Sequence, residues 1–179
     1  MNVTYGKAQD ITVDISPEVY KEFTTNPDII NQGKMRYTYV GIQRGDGYTF
    51  TIAHQLVNDI IKQTKLTRPI YFSMTCGYPG ADVYAGLGNH CLLDGMAYRV
   101  YPFEVGGTGE KLNMEIMEKS LLHADNTNSY STGFQFGFKM RNLNNPDVYF
   151  DEHSRRYIDN YRTLYIRYAD SLLTINQKR

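Results

Sequence analysis

The fold is decided by residues 51–75, which read TIAHQLVNDIIKQTKLTRPIYFSMT. Apolar side chains recur there at helical spacing: Ile52, Leu56 and Ile60, with Ala53, Val57 and Ile61 beside them. This spacing predicts an amphipathic helix that buries the stripe, begins at the N-cap Thr51 and runs to about Lys65. Arg68-Pro69 ends the helix, and the apolar run 70–75 predicts a short buried strand. A helix that leads into a buried strand is typical of α/β domains.

The flanking segments continue the alternation of strands and helices. Runs rich in β-branched and aromatic residues predict strands at 35–43, 48–52 and 97–103. Capping signals predict helices from Ser16-Pro17 to about Phe23, after Asn113, and from about Asp151 to Asn176, and a further helix is predicted at 83–93. The resulting prediction is an α/β fold, with a small, mostly parallel sheet, flanking helices and a long C-terminal helix. An α+β fold with a hairpin at 35–52 is the alternative.

Composition divides the chain into three parts. Residues 1–33 are polar and mixed, and we interpret them as a leading linker segment. Residues 34–145 hold the predicted strands and form the α/β domain. Residues 146–179 form the long helix, which is expected to pack on that domain through one apolar stripe: Tyr157, Tyr161, Leu164, Tyr165, Tyr168, Leu172 and Leu173.

Charge and hydropathy exclude several classes of protein. Nineteen Lys and Arg balance nineteen Asp and Glu, and the balance holds in each half of the chain. It argues against nucleic acid as a partner, and also against a basic membrane patch. No apolar run approaches the roughly 18–20 residues that a membrane helix needs. With 41% hydrophobic residues the chain has enough apolar side chains for a buried core.

Tyrosine and cysteine usage leave alternatives open. The chain has sixteen Tyr and no Trp, which favours rings packed at half-buried positions, with a sugar- or peptide-stacking surface as the alternative. Cys76 and Cys91 belong to no Cys-x-x-Cys pair. They form either one disulfide or two buried thiols.

Two glycine-rich stretches resemble nucleotide loops only superficially. In 106–111 Glu110 precedes the Lys of a phosphate loop, and a carboxylate is the wrong charge for an anion nest. In 86–91 Cys91 occupies the third glycine position of a dinucleotide fingerprint. We therefore expect no nucleotide and no other cofactor.

One cluster carries reactive side chains: His90, Cys91 and Asp94. A Cys–His nucleophile pair or a metal site could use it, but a structural zinc needs four ligands with paired spacing. Packing is the favoured interpretation, so we assign no catalytic residue and no metal ligand. Arg68 and Arg99 each adjoin a predicted buried strand, and at least one is expected to make a bidentate pair with a carboxylate or with main-chain carbonyls.

The ends of strands 70–75 and 97–103 are the expected place for a ligand if the chain is a stand-alone α/β enzyme or a small-ligand-binding domain. Such a site would use His90, Cys91, Asp94 and Arg99. The candidate binding residues of the chain are Arg68, His90, Asp94, Arg99 and Tyr101.

Three stretches together resemble a known family: RPIYFS at 68–73, LDGMAYRVYP at 93–102 and NPDVYFDE at 145–152. In this order and spacing they are similar to the C-terminal soluble region of large polytopic membrane proteins of unknown function from Bacteroidetes. Those proteins are related to protein O-mannosyltransferase-like glycosyltransferases of the GT-C type. Leu112-Asn113, followed by Met114 and Met117, also fits the family.

The resemblance implies that the chain is a periplasmic, extracytoplasmic domain of an inner-membrane protein. Glycosyl transfer is then expected near membrane helices outside this chain, so the parent is a glycosyltransferase and this fragment is not itself an enzyme. The implied partners are the membrane-embedded part of the same polypeptide and a glycan or acceptor protein. The resemblance also implies that the long helix runs on into tetratricopeptide-like helices.

Overall fold

The computed structural model describes residues 4–76, 85–105, 111–122, 137–138 and 142–177. It is a mixed α/β structure with small antiparallel sheets and a long C-terminal helix. The strands are β1 (Thr4–Gly6), β2 (Gln9–Asp14), β3 (Lys34–Tyr39), β4 (Ile42–Arg44), β5 (Gly47–Phe50), β6 (Tyr71–Ser73), β7 (Cys91–Asp94) and β8 (Ala97–Val100). The helices are α1 (Pro17–Lys21), α2 (Pro27–Ile30), α3 (Ile52–Thr64), α4 (Met114–Leu122) and α5 (Glu152–Gln177).

In the described part of the chain the strands form three sheets, with orders β1-β5-β4, β2-β3 and β6-β8-β7. The pairs β1–β5, β4–β5, β2–β3 and β6–β8 are all antiparallel, so the prediction of a mostly parallel sheet is wrong. A parallel pair needs a crossover connection, usually a helix. The helix predicted at 83–93 would have supplied one. Instead, Leu87–His90 is a 3₁₀ turn and β7 follows it at once.

The predicted strands 70–75 and 97–103 are neighbours in one sheet, but they pair antiparallel. Tyr71 lies opposite Arg99 and Phe72 opposite Tyr98. Both strands are shorter than predicted, because Met74–Cys76 is a 3₁₀ turn and β8 ends at Val100. Burial is also less complete than expected in β6, where Phe72 is buried but Tyr71 is exposed.

The chain forms two compact units. The first comprises Met1–Leu92 and Ala97–Gly107. Its core includes the inner face of the two-stranded β2–β3 sheet, where Ile11 pairs with Tyr37 and Val13 with Met35. All four side chains are buried, as expected for alternate residues of strands with one face on the core.

The second unit comprises Leu93–Met96 and Thr108–Arg179. The Asn113 side chain caps α4 by accepting from the Ile116 N–H at 3.3 Å, as predicted. Buried residues of this unit lie on both helices: Met117 and Leu121 on α4, and Leu164 and Tyr168 on α5. The long helix is confirmed. A tetratricopeptide-like continuation finds no support, and Leu172 and Leu173 of the predicted stripe are exposed.

Helix α3 begins and ends close to its predicted bounds but buries a different face. Thr51 caps it, since its hydroxyl accepts from the His54 N–H at 3.4 Å. The buried residues are His54, Asn58 and Ile61, whereas the predicted apolar stripe is largely exposed: Ile52 50%, Leu56 54% and Ile60 47%. The helix therefore packs through Ile61 and two polar side chains, His54 and Asn58, and leaves Ile52, Leu56 and Ile60 exposed.

The sequence also predicts loops at 77–89, 106–109 and 125–137, because these stretches are rich in Gly, Asn, Ser and Thr. Residues 77–84, 106–109 and 125–136 of these loops lie outside the described residues. Among the described residues, no helix is long and apolar enough to cross a bilayer.

Candidate binding sites

His90 lies in the core of the first unit, with 2% of its surface exposed. The 3₁₀ turn that ends at His90 places its ring between β3 and the segment after β8. Nε2 is 3.0 Å from the Arg36 carbonyl oxygen, and Nδ1 is 3.2 Å from the Tyr101 carbonyl oxygen. The ring thus joins two chain segments that are far apart in sequence, which is a structural role.

The protonation of His90 is governed mainly by burial. Removal from water lowers the pKa of His90, while the Tyr101 and Arg36 carbonyls and the charge of Glu104 oppose this shift. A neutral imidazole has one N–H and donates to one carbonyl at a time, whereas a protonated ring donates to both. Because burial dominates, the ring is neutral near pH 7.

Arg99 interacts with two residues that follow α1. Its Nη2 is 3.8 Å from Glu22 Oε2, and its guanidinium carbon is 4.3 Å from the centre of the Phe23 ring. The expected bidentate pair is wrong for Arg99, because only this one long ion pair is present and Nε has no hydrogen-bond partner among the described residues. At 3.8 Å the ion pair is long, whereas 4.3 Å to the ring centroid is within the usual range of a cation–π contact, so Phe23 is the main partner of Arg99.

Tyr101 packs in a cluster of aromatic side chains with Phe23, Phe103 and Tyr20. Its ring meets Phe23 edge-on with centroids 4.9 Å apart, and meets Phe103 at 5.8 Å. Tyr20 stacks on Phe103 at 6.3 Å and donates from its hydroxyl to the Pro102 carbonyl at 3.3 Å. Three predicted binding residues, His90, Arg99 and Tyr101, therefore lie close together, but their contacts are those of a packed core.

The remaining candidates are not part of this cluster. Arg68 is exposed in the link between α3 and β6, and it makes no ion pair with any described residue. Asp94 ends β7 and belongs to the second unit. Cys91 is buried, Cys76 is exposed, and both are thiols. The described part of the chain holds no group of three or more His, Cys, Asp or Glu that could bind a metal ion.

A cavity of about 520 Å³ lies beside His90 in the first unit. Its walls combine apolar and charged side chains: Ile29, Gln32, Lys34, Arg36, His90, Pro102, Phe103 and Glu104. Because both ring nitrogens of His90 already face carbonyl oxygens, the ring has no nitrogen available to a ligand here.

A larger groove of about 910 Å³ lies in the second unit, and sequence reasoning missed it. We call it the aromatic groove. It is lined by residues 143–150 and by one face of the first half of α5: Leu143, Pro146, Asp147, Val148, Tyr149, Phe150, Arg155, Ile158, Asp159, Tyr161, Arg162 and Tyr165. The abundance of Tyr was the available signal, but it did not locate the groove.

Substitutions of Arg99 and Glu22 test whether the contact with Phe23 or the ion pair contributes more to stability. We expect Arg99→Ala to lower the free energy of unfolding by about 1–2 kcal/mol, because it removes the guanidinium from the Phe23 ring and the side-chain stem from the cluster. Glu22→Gln should cost less than about 0.5 kcal/mol, since Glu22 is 59% exposed and the ion pair is long. Urea denaturation of both variants gives the two losses in free energy of unfolding. Equal losses would contradict the expectation that the Phe23 contact contributes more than the ion pair.

By its fold, the chain is a mixed α/β protein in which two of the predicted reactive residues, His90 and Cys91, are buried. A family model described as TMEM260-associated domain 2 matches residues 6–119, which is more than half of the chain. The chain belongs to this TMEM260-related family. No curated protein and no solved structure gives a significant match.

Proposed function

We propose that this chain is an extracytoplasmic accessory domain of a membrane-bound, glycosyltransferase-like protein. It positions an acceptor protein or a glycan, or docks on the membrane-embedded part of the same polypeptide, and does not itself transfer sugar. Membership of the TMEM260-associated family is the observation that carries this proposal, since TMEM260 is an O-mannosyltransferase-like membrane protein.

The chemistry of the described residues supports a non-catalytic role. A general acid or base needs an atom that can reach its substrate. His90 is buried, and both of its ring nitrogens are within 3.2 Å of main-chain oxygens. Cys91 is fully buried as well, whereas a nucleophilic thiol has to be accessible.

We expect the purified chain to show no glycosyl transfer from polyprenyl-phosphate sugars to an acceptor peptide, with or without divalent metal. Formation of sugar-modified peptide is measured by mass spectrometry, and the full parent protein is the positive control. A stand-alone enzyme is the rival function, favoured by the cavity beside His90. Turnover that is lost in His90→Gln, with the circular dichroism spectrum unchanged, would establish the rival.

Location is tested separately in the full-length parent. Alkaline phosphatase fused after this domain is active only outside the cytoplasm, and a green fluorescent protein fused at the same place fluoresces only inside it. We expect an active phosphatase and a dark fluorescent fusion. The opposite pair of results would refute the extracytoplasmic placement.

A further inference from the structure

We propose that the aromatic groove of the second unit binds a neutral oligosaccharide. This inference rests on the proposed function, because it names the ligand class that an accessory domain of this kind would position. A groove of about 910 Å³ is within the size range of small-ligand sites. Three features of the groove favour a neutral sugar: its aromatic rings, its balanced charges and its ordered walls.

The rings provide flat apolar surfaces within reach of a ligand. Four aromatic side chains line the groove: Tyr149, Phe150, Tyr161 and Tyr165. Tyr149 is 82% exposed, so one of its faces is available at little cost in folding. The C–H groups on one side of a sugar ring carry partial positive charge, and they are attracted to the negative face of an aromatic ring.

The charged residues in the groove cancel. Two carboxylates, Asp147 and Asp159, and two guanidinium groups, Arg155 and Arg162, line it. Arg162 Nη1 lies 3.4 Å from Asp159 Oδ1, so a donor and an acceptor stand side by side. Sugar hydroxyls both donate and accept, and therefore match such a pair. A strongly charged ligand would gain no net attraction here.

A peptide fits this lining less well. Extended peptides are commonly held by main-chain pairing to a free strand edge. The described walls of the groove consist of a helix and an irregular segment, and contain no strand. Neutral sugar is therefore the occupant that both the rings and the polar groups favour.

The walls are held in place before any ligand arrives. The Tyr165 hydroxyl donates to the Leu121 carbonyl at 2.8 Å, and the Tyr161 ring meets Phe138 edge-on at 4.8 Å. Opposite them, the Asn145 side chain accepts from the Asp147 N–H at 3.0 Å. A site that is already ordered loses less conformational entropy on binding.

The spacing of three charged residues along α5 places their side chains in the same wall of the groove. Arg155, Asp159 and Arg162 follow one another at intervals of four and three residues, which places them on one face of α5. Asp151 caps this helix, since its carboxylate accepts from the Ser154 N–H at 2.7 Å. The start of the helix, and with it the position of these side chains, is thereby set.

The test is a titration of the whole chain with neutral trisaccharides of hexoses and of N-acetylhexosamines, in which binding is measured by saturation-transfer NMR. We expect at least one of them to bind with a Kd of about 10 mM or tighter. Tyr149→Ala should weaken that binding about tenfold or more. Tyr157→Ala is the control, because Tyr157 is also an exposed tyrosine, at 63%, but it lies on α5 outside the lining of the groove.

Three results would overturn the inference: no trisaccharide binds, binding is equal in Tyr149→Ala and the wild type, or a Ser/Thr-rich octapeptide binds and displaces the sugar. Arg155→Gln gives an independent check and should also weaken binding. The accessory function survives failure of this test, because docking on the membrane part needs no sugar. Conversely, catalytic turnover by the chain would refute the proposed function whether or not the groove binds sugar.

Discussion

Gly86→Ala is expected to lower the free energy of unfolding by at least about 3 kcal/mol and the Tm by about 6–12 °C. Gly86 has a φ of +92° and begins the 3₁₀ turn that carries His90. A Cβ at this position would lie 1.9 Å from the Thr38 carbonyl oxygen and 3.0 Å from its carbon. Both are main-chain atoms of β3, so the turn or the strand has to move.

Gly33→Ala is the matched control. Gly33 also has a positive φ, +61°, but nothing lies within 4 Å of a Cβ built there. It should therefore show only the cost of the left-handed conformation, about 1 kcal/mol. Urea denaturation of the two variants separates the steric contribution from the conformational one. Equal losses in both would mean that the approach of Gly86 to β3 is not close.

The starts of three helices, α3, α4 and α5, were predictable because their signals are local. Thr51, Asn113 and Asp151 each lie just before a helix and each accepts from a main-chain N–H within the first turn. Such caps need no partner from elsewhere in the chain, so the sequence alone marks them.

The buried face of α3 was not predictable in the same way. Asn58 is buried because its side chain accepts from the Tyr37 hydroxyl at 2.6 Å, across twenty-one positions of sequence. His54 is buried with its Nδ1 accepting from the Thr51 N–H at 3.0 Å. Hydropathy patterns give polar residues to the solvent and cannot register a partner supplied by tertiary structure. The exposed stripe of Ile52, Leu56 and Ile60 is the consequence.

The candidate sites show the same difference between what local sequence signals predict and what depends on tertiary contacts. Sequence reasoning selected His90 and Arg99 for their chemistry, and the structure places both against partners that no motif announced. The aromatic groove depends instead on the fold of residues 143–150 beside α5. Its rings are spread over seventeen positions, from Tyr149 to Tyr165, and only the tertiary structure assembles them.

The largest effect of pH on stability between about 5 and 6.5 is expected to come from His90. Its pKa in the folded protein is below the ordinary value, chiefly because the ring is buried. The unfolded chain therefore binds a proton more readily than the folded protein does, and the free energy of unfolding falls as pH falls below about 6.5. The limiting slope for one such group is about 1.4 kcal/mol per pH unit.

The carboxylates with lowered pKa values add little to the change of stability between about pH 5 and 6.5. Glu18, Glu115 and Asp151 are held below their ordinary values by hydrogen bonds, so the stability they contribute is lost only at lower pH, as they become protonated. Measurements at pH 5.5, 6.5 and 7.5 therefore report on histidine, with carboxylate effects confined to more acid conditions.

Two substitutions at His90 separate its hydrogen bonds from its titration. His90→Leu should cost about 2–3 kcal/mol at pH 7, because the Arg36 and Tyr101 carbonyls lose the ring that faces them in the core. His90→Gln keeps a neutral donor and should cost less. Both variants should lose the decline of stability below pH 6.5, as measured by urea denaturation at each pH. A wild-type slope that persists in His90→Gln would assign the titration to another group, and a loss in His90→Leu below about 0.5 kcal/mol would mean that the two carbonyls do not depend on the ring.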